Sequence, residues 1–263
     1  PWSTDSLIAA MKLESAMLFN SVVSNDAPLD RLIDADYTFV NEELAGHYQM
    51  KGVIGPEMRQ VSLLGSPRRG VLGHGSILAV TSFPGRTSPV IRGNWILTTL
   101  LGTPPPPPPP NVSEFDQSVA RDRDLTQRQK LELHRQKPNC YTCHSQIDPL
   151  GFALEEFEWF GRHRPISRGA PVDSTGQLPG GVPFEGLSGL SETLLRERID
   201  DLTTQLSRKM LSYALGRQLE YYDEATVGDL VKQLQAHERR LPSLIHAIVQ
   251  SDTFQMKQTR SSE

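Results

Sequence analysis

Apolar residues recur at mixed three- and four-residue spacings over residues 5–24, where Leu7, Ala10, Met11, Leu18 and Phe19 share a stripe with Glu14. That pattern predicts an amphipathic helix with one buried face. A shorter helix is expected over Leu29–Ala35 behind Pro28, and a third over Asn41–Tyr48, opened by an asparagine cap with glutamate close behind. Between Gly46 and Gly75 the pattern breaks, because Gly46, Gly52, Gly55, Gly65, Gly70, Gly73 and Gly75 come too often for a continuous helix. Loops are expected there, with one strand near Met58–Leu63. Thr87, Ser88 and Pro89 form a helix start, and the apolar periodicity of Val90–Leu101 continues until Gly102 stops it.

Pro104–Pro110 is an unbroken proline run. It imposes polyproline II geometry and reads as a stiff spacer of roughly 20 Å between two halves, at about 3.1 Å per residue. Beyond it, Thr126 caps a helix over Gln127–Gln136, which Pro138 is expected to end. Residues 171–186 are dense in turn formers and predict a small hairpin. Four helices then follow: Ser188–Glu197, Asp200–Leu215 closed by Gly216, Asp223–His237 and Pro242–Phe254.

The expected fold class is therefore mainly α. Its parts are a loop-rich helical region over residues 1–103, a polyproline connector over 104–123, and a helical domain over 124–263 with a small β-hairpin.

Composition narrows the function. A net charge of −4 offers no basic footprint for neutralising phosphates, which argues against nucleic-acid partners. No apolar run is expected to reach the roughly 20 residues needed to span a bilayer. Residues 1–20 also lack the basic start and apolar stretch of a signal peptide. Since the chain opens on Pro1, the expectation is a processed or partial chain with its export signal outside this sequence.

The candidate chemistry rests on the two cysteines, which sit three apart in Cys140-Tyr141-Thr142-Cys143-His144. C-x-x-C-H is the attachment signature of c-type haem: two thiols one helical turn apart meet the two vinyl groups of one porphyrin edge. The adjacent histidine becomes the proximal iron ligand. One covalent haem is therefore expected at Cys140, Cys143 and His144.

Two rival chemistries use the same residues. A thioredoxin-like dithiol requires a βαβ context, which the pattern lacks. A zinc site could join Cys140, Cys143, His144 and His134, but ligands adjacent in sequence rarely bind one tetrahedral ion. The sixth iron position has candidates in Met256, Met210, Met58, His74, His163 and His246. Met256, just past a helix end, ranks first for its free and polarizable thioether, with His74 second.

Longer stretches carry a family resemblance. They are residues 69–78 (RGVLGHGSIL), 86–97 (RTSPVIRGNWIL), the proline run and 140–155 (CYTCHSQIDPLGFALE). Residues 36–48, 213–223 and 251–256 are similar too. Together these resemble the C-terminal part of the large planctomycete-type multi-domain cytochromes.

The resemblance implies electron transfer with redox protein partners, other cytochrome or oxidoreductase chains in a larger assembly, in a periplasmic or extracytoplasmic setting. The segment after His144 recurs in that family. From Pro149 a helix is expected to present Phe152, Leu154, Phe157, Trp159 and Phe160 as an apolar wall for the porphyrin. Arg162 and Arg164 are candidate partners for the propionates. The functional expectation is a mono-haem electron-transfer module, with a peroxidase-type haem enzyme bearing an open sixth position as the alternative.

Overall fold

The computed structural model describes residues 4–107 and 125–256. The first helix, α1 (Asp5–Ser24), is capped by Thr4, whose hydroxyl accepts from Leu7 N. It is followed by α2 (Asp30–Asp34), β1 (Tyr37–Val40), α3 (Glu42–His47) and β2 (Arg59–Ser62). The Asn41 side chain caps α3 by accepting from Leu44 N, as its position predicts. β2 falls where a strand is expected. Its antiparallel partner β1, which pairs Tyr37 opposite Ser62, is not legible in the pattern, because three of its four residues are buried and no alternation survives.

Two further elements lie in the glycine-rich stretch: a 3₁₀ turn over Val71–Gly73 and α4 (Gly75–Val80). Glycine is used here for closeness. A Cβ on Gly75 would lie 2.8 Å from both the Met11 thioether methyl and the Tyr48 hydroxyl, so a larger residue there would have to displace the ends of those two side chains. α5 (Pro89–Trp95) starts on the Ser88 cap with proline in its first turn, then widens into a π-helical turn over Ile96–Leu100. Gly102 ends it at φ +66°.

After the prolines come α6 (Gln127–His134) and α7 (Pro138–Phe152). Pro138 opens α7 at its first turn rather than merely ending α6, so the cysteine pair lies inside a helix and not beyond one. Pro149 is likewise interior to α7, which stops at Phe152. The helix expected to start at Pro149 therefore does not form. Residues 153–161 are turns, closed by Gly161 at φ +87°.

Two small ribbons follow, β3 (Ile166–Ser167) with β4 (Ala170–Pro171) and β5 (Thr175–Gln177) with β6 (Pro183–Glu185). The second is the expected hairpin. The remaining helices are α8 (Gly186–Glu197), α9 (Ile199–Leu215, closed by Gly216 in the left-handed region), α10 (Glu224–Ala236), α11 (Leu241–Gln250) and α12 (Asp252–Gln255). The fold is mainly α.

One main core draws on both sides of the proline run. Leu18, Leu72, Leu78 and Ile96 pack in the same cluster as Leu150, Phe157, Leu190, Leu211 and Leu244. The run therefore does not hold two halves about 20 Å apart. Pro108–Pro110 and the rest of the expected linker, up to residue 123, lie outside the described residues.

The contact that joins the two sides most closely is α5 on α7. Gly93 and Gly151 allow it, since a Cβ on either would stand 1.9 Å from a carbonyl oxygen of the other helix, that of Ile147 or of Pro89.

A smaller cluster of Leu7, Met11, Val40, Leu44 and Tyr48 lies between α1, β1 and α3. Against the expectation from the apolar pattern, α1 is by length and composition apolar enough to cross a membrane. In the fold its Leu7, Met11, Leu18 and Val22 are buried, and its central Glu14 is fully buried, accepting hydrogen bonds from Thr38 Oγ1 and Tyr48 OH, each at 2.6 Å. The few charges that interrupt its alanines, leucines and methionines are what hide that length from the pattern.

Candidate functional site

The site is built by α6 and α7. α6 starts on a capping box in which the Thr126 hydroxyl accepts from Gln129 N and the Gln129 side chain accepts from Thr126 N. Three residues connect α6 to α7, and the two helices form a hairpin in contact. In α7, Cys140, Cys143 and His144 occupy positions i, i+3 and i+4 and share one helical face. Tyr141 and Thr142, between them, are exposed. Both thiols are free; Cys140 is buried, and Cys143 is half-buried against the main core.

His144 is held from two directions. Its Nδ1 lies 2.9 Å from Oδ1 of Asp148, one turn further along α7. Its ring meets that of His134, at the end of α6, edge-on with centroids 4.7 Å apart. Burial first, and then the neighbouring His144 and Lys137, hold the His134 imidazole below its ordinary basicity. Asp148 is fully buried. Its second oxygen, Oδ2, has no hydrogen-bond partner among the described residues and stands 3.8 Å from Arg135 Nε.

This donor set suits a covalently held haem. Two thiols and an imidazole lie within a turn and a quarter of one helix, and with Nδ1 engaged by Asp148 the Nε2 lone pair is left for a metal. Five grooves among the described residues are lined by other side chains. The described residues contain no cluster of three or more His, Cys, Asp or Glu side chains set to grip a metal by themselves. His134 and His144 do meet, but the four-donor zinc arrangement is not assembled. The thiol pair lies in the first turns of a helix that follows another helix, not a strand.

The other expected site residues scatter. Phe152 lies at the end of α7, with the Arg128 guanidinium 4.0 Å from its ring centroid and that of Arg135 at 5.9 Å. Leu154 and Phe157 fill the main core, while Phe160 packs against the smaller cluster and meets His47 edge-on. They do not form one wall, because the chain turns after Phe152 and distributes them between the two cores.

Arg162 is exposed and donates to His47 Nδ1 at 3.4 Å, on the α3 side of the molecule; Arg164 donates to the Glu155 carbonyl. Met256 is 69% exposed at the end of α12, which packs on α11, whereas α7 has α5 and α6 as neighbours. Met210 and Met58 pack against the main and smaller cores, and His74 is buried beside Glu14 and Ser15. His163 stands by Glu156, and His246 lines a polar groove between α10 and α11. Among the described residues none of these shares a hydrogen bond, ion pair or ring contact with His144. The residues that contact His144 are Asp148, legible in the His144–Asp148 spacing of four on one helix, and His134, whose approach from α6 has no local signal; Arg135 stands behind them against Asp148.

Three family models match in tandem, each described as a protein of unknown function: DUF1592 over residues 1–50, DUF1588 over 68–167 and DUF1585 over 180–254. These are the tandem domains of planctomycete-type cytochrome-like proteins. The middle match carries the whole α6–α7 hairpin and runs across the prolines to include α4 and α5, so its limits follow the α5–α7 packing rather than the proline run. No curated protein and no solved structure matches the chain.

Proposed function

We propose that the chain is a mono-haem c-type cytochrome module that passes electrons between redox protein partners in an extracytoplasmic assembly. The observation that carries this reading is the shared face of Cys140, Cys143 and His144 on α7, with His144 Nδ1 tied to a buried carboxylate. The haem, when bound, supplies a one-electron couple at its iron.

The chain's own residues do the rest. The Cys140 and Cys143 thiols serve as the two covalent anchors, one turn apart. His144 presents Nε2, and Asp148 holds the imidazole in the tautomer that leaves this nitrogen free. The packing of α7 on α5 through Gly93 and Gly151 keeps the motif helix from shifting. The setting outside the cytoplasm follows from where bacterial c-type haem is attached.

The test is expression with and without the cytochrome c maturation machinery. The mature chain is expected to retain haem through acid-acetone extraction and denaturing electrophoresis, and Cys140→Ser with Cys143→Ser is expected to abolish this. A high-spin spectrum in the wild-type protein together with rapid peroxide turnover would shift the assignment to the peroxidase-type alternative.

A further inference from the structure

Asp148 is an expensive residue for the fold. A carboxylate with no solvent exposure needs compensation, yet Oδ2 has no hydrogen bond among the described residues, and its only ion-pair partner among them is Arg135 Nε at 3.8 Å. Aspartate is also a poor choice within a helix unless it caps one. The one short contact is Oδ1 to His144 Nδ1 at 2.9 Å.

We infer that Asp148 is the positioning residue of His144 and that Asp148 and Arg135 together set how strongly this imidazole donates to the iron. The inference rests on the haem reading given above. A ring that donates Nδ1–H to a carboxylate is more electron-rich at Nε2, and a stronger donor favours the oxidised iron, which lowers the potential. Arg135 works against this by drawing the carboxylate's charge towards itself from the other oxygen. The guanidinium is held near Asp148 because α6 ends against α7, with Arg135 also 3.8 Å from Glu132. The α6–α7 hairpin thus supplies both a push and a counterweight to one ligand.

The test uses the haem-loaded full chain and reads the midpoint potential, with ferric EPR g values as the second readout. Asp148→Asn keeps an oxygen for Nδ1–H but loses the charge, so the potential is expected to rise and the g spread to change. Arg135→Gln removes the counterweight and is expected to lower the potential. Lys232→Gln, at an exposed residue on α10, is expected to leave it in place.

Covalent haem with Asp148→Asn and Arg135→Gln both at the wild-type potential, or both displaced in the same direction, overturns this inference and leaves the haem reading standing. Wild-type chain that carries no covalent haem after maturation overturns both. If Asp148→Asn does not accumulate, the Arg135→Gln shift decides alone, since that side chain is partly exposed and its loss is tolerable: a fall supports the inference, no change or a rise overturns it.

Discussion

At the scale of single residues, the fold spends buried charge to fix the segment that follows the motif helix. Arg92 on α5 is fully buried and donates to the carbonyls of Leu154, Phe157 and Glu158 and, at 3.2 Å, to Glu155 Oε1, while Thr87 donates to Glu155 Oε2. Removing one partner of such a pair strands the other, at a cost of about 3–5 kcal/mol. Arg92→Met is therefore expected to lose that much stability in urea unfolding, and Arg92→Met with Glu155→Leu to recover part of it; equal losses in the two variants would contradict the pairing.

His74 makes a second residue-scale prediction. Burial, more than the opposing pull of Glu14, holds its imidazole below the ordinary 6.5, and His47, His134 and His163 are displaced in the same direction. As pH falls through 6.5 the unfolded chain takes up protons that the folded chain refuses, so stability falls with pH in that window. Glu155, held above 4.5 by burial, acts in the opposite sense in more acidic solution. Between about pH 7.5 and about pH 5.5 the stability difference between wild type and His74→Gln is expected to narrow, because the variant has one fewer such group. Parallel curves would show that His74 is not held neutral.

These residues also show where sequence reading stops. Arg92, Glu14 and Asp148 are charged, and nothing in the local pattern separates a buried charge with a distant partner from a solvated one. Cys140, Cys143 and His144 stand out because their spacing puts them on one face of any helix that contains them. Met256 is a candidate by its place just past a helix end and Arg162 by its guanidinium, and neither signal says which face of the molecule a residue occupies.

At the scale of elements, legibility follows the strength of local signals. Helices with caps or terminal glycines, such as α1, α3, α6 and α9, come out within a residue or two of their expected limits. The elements that escape are those fixed by tertiary contact: β1, which needs β2, and α4, which needs the notch formed by Met11 and Tyr48. Proline and glycine misled wherever they serve packing. Pro149 lies inside a helix, and Gly93 and Gly151 let two helices touch.

The α5–α7 crossing can be tested directly. On intrinsic propensity Gly93→Ala in a helix should stabilise by up to about 1 kcal/mol. The clash of its Cβ with the Ile147 carbonyl predicts a loss of about 3 kcal/mol instead, in the upper range for overpacking. The sign of the change in urea midpoint decides between them.

At the scale of the whole molecule, the tandem of three matched families and the core shared across the proline run describe one architecture in which the middle unit presents the α6–α7 hairpin. On α7 Cys140 is buried, while Cys143 and His144 keep partial exposure at its edge. An open edge of this kind suits exchange of electrons with a partner surface, which is the function proposed for the chain. Everything in that proposal depends on the cysteine pair being modified. The most direct test is intact mass spectrometry of the chain matured in a host competent for c-type haem attachment, with a pyridine haemochrome spectrum of the same sample. The account predicts a mass increase of one haem, an α band typical of two thioether links, and loss of both in the Cys140→Ser, Cys143→Ser variant. An unmodified mass with two free thiols would contradict it.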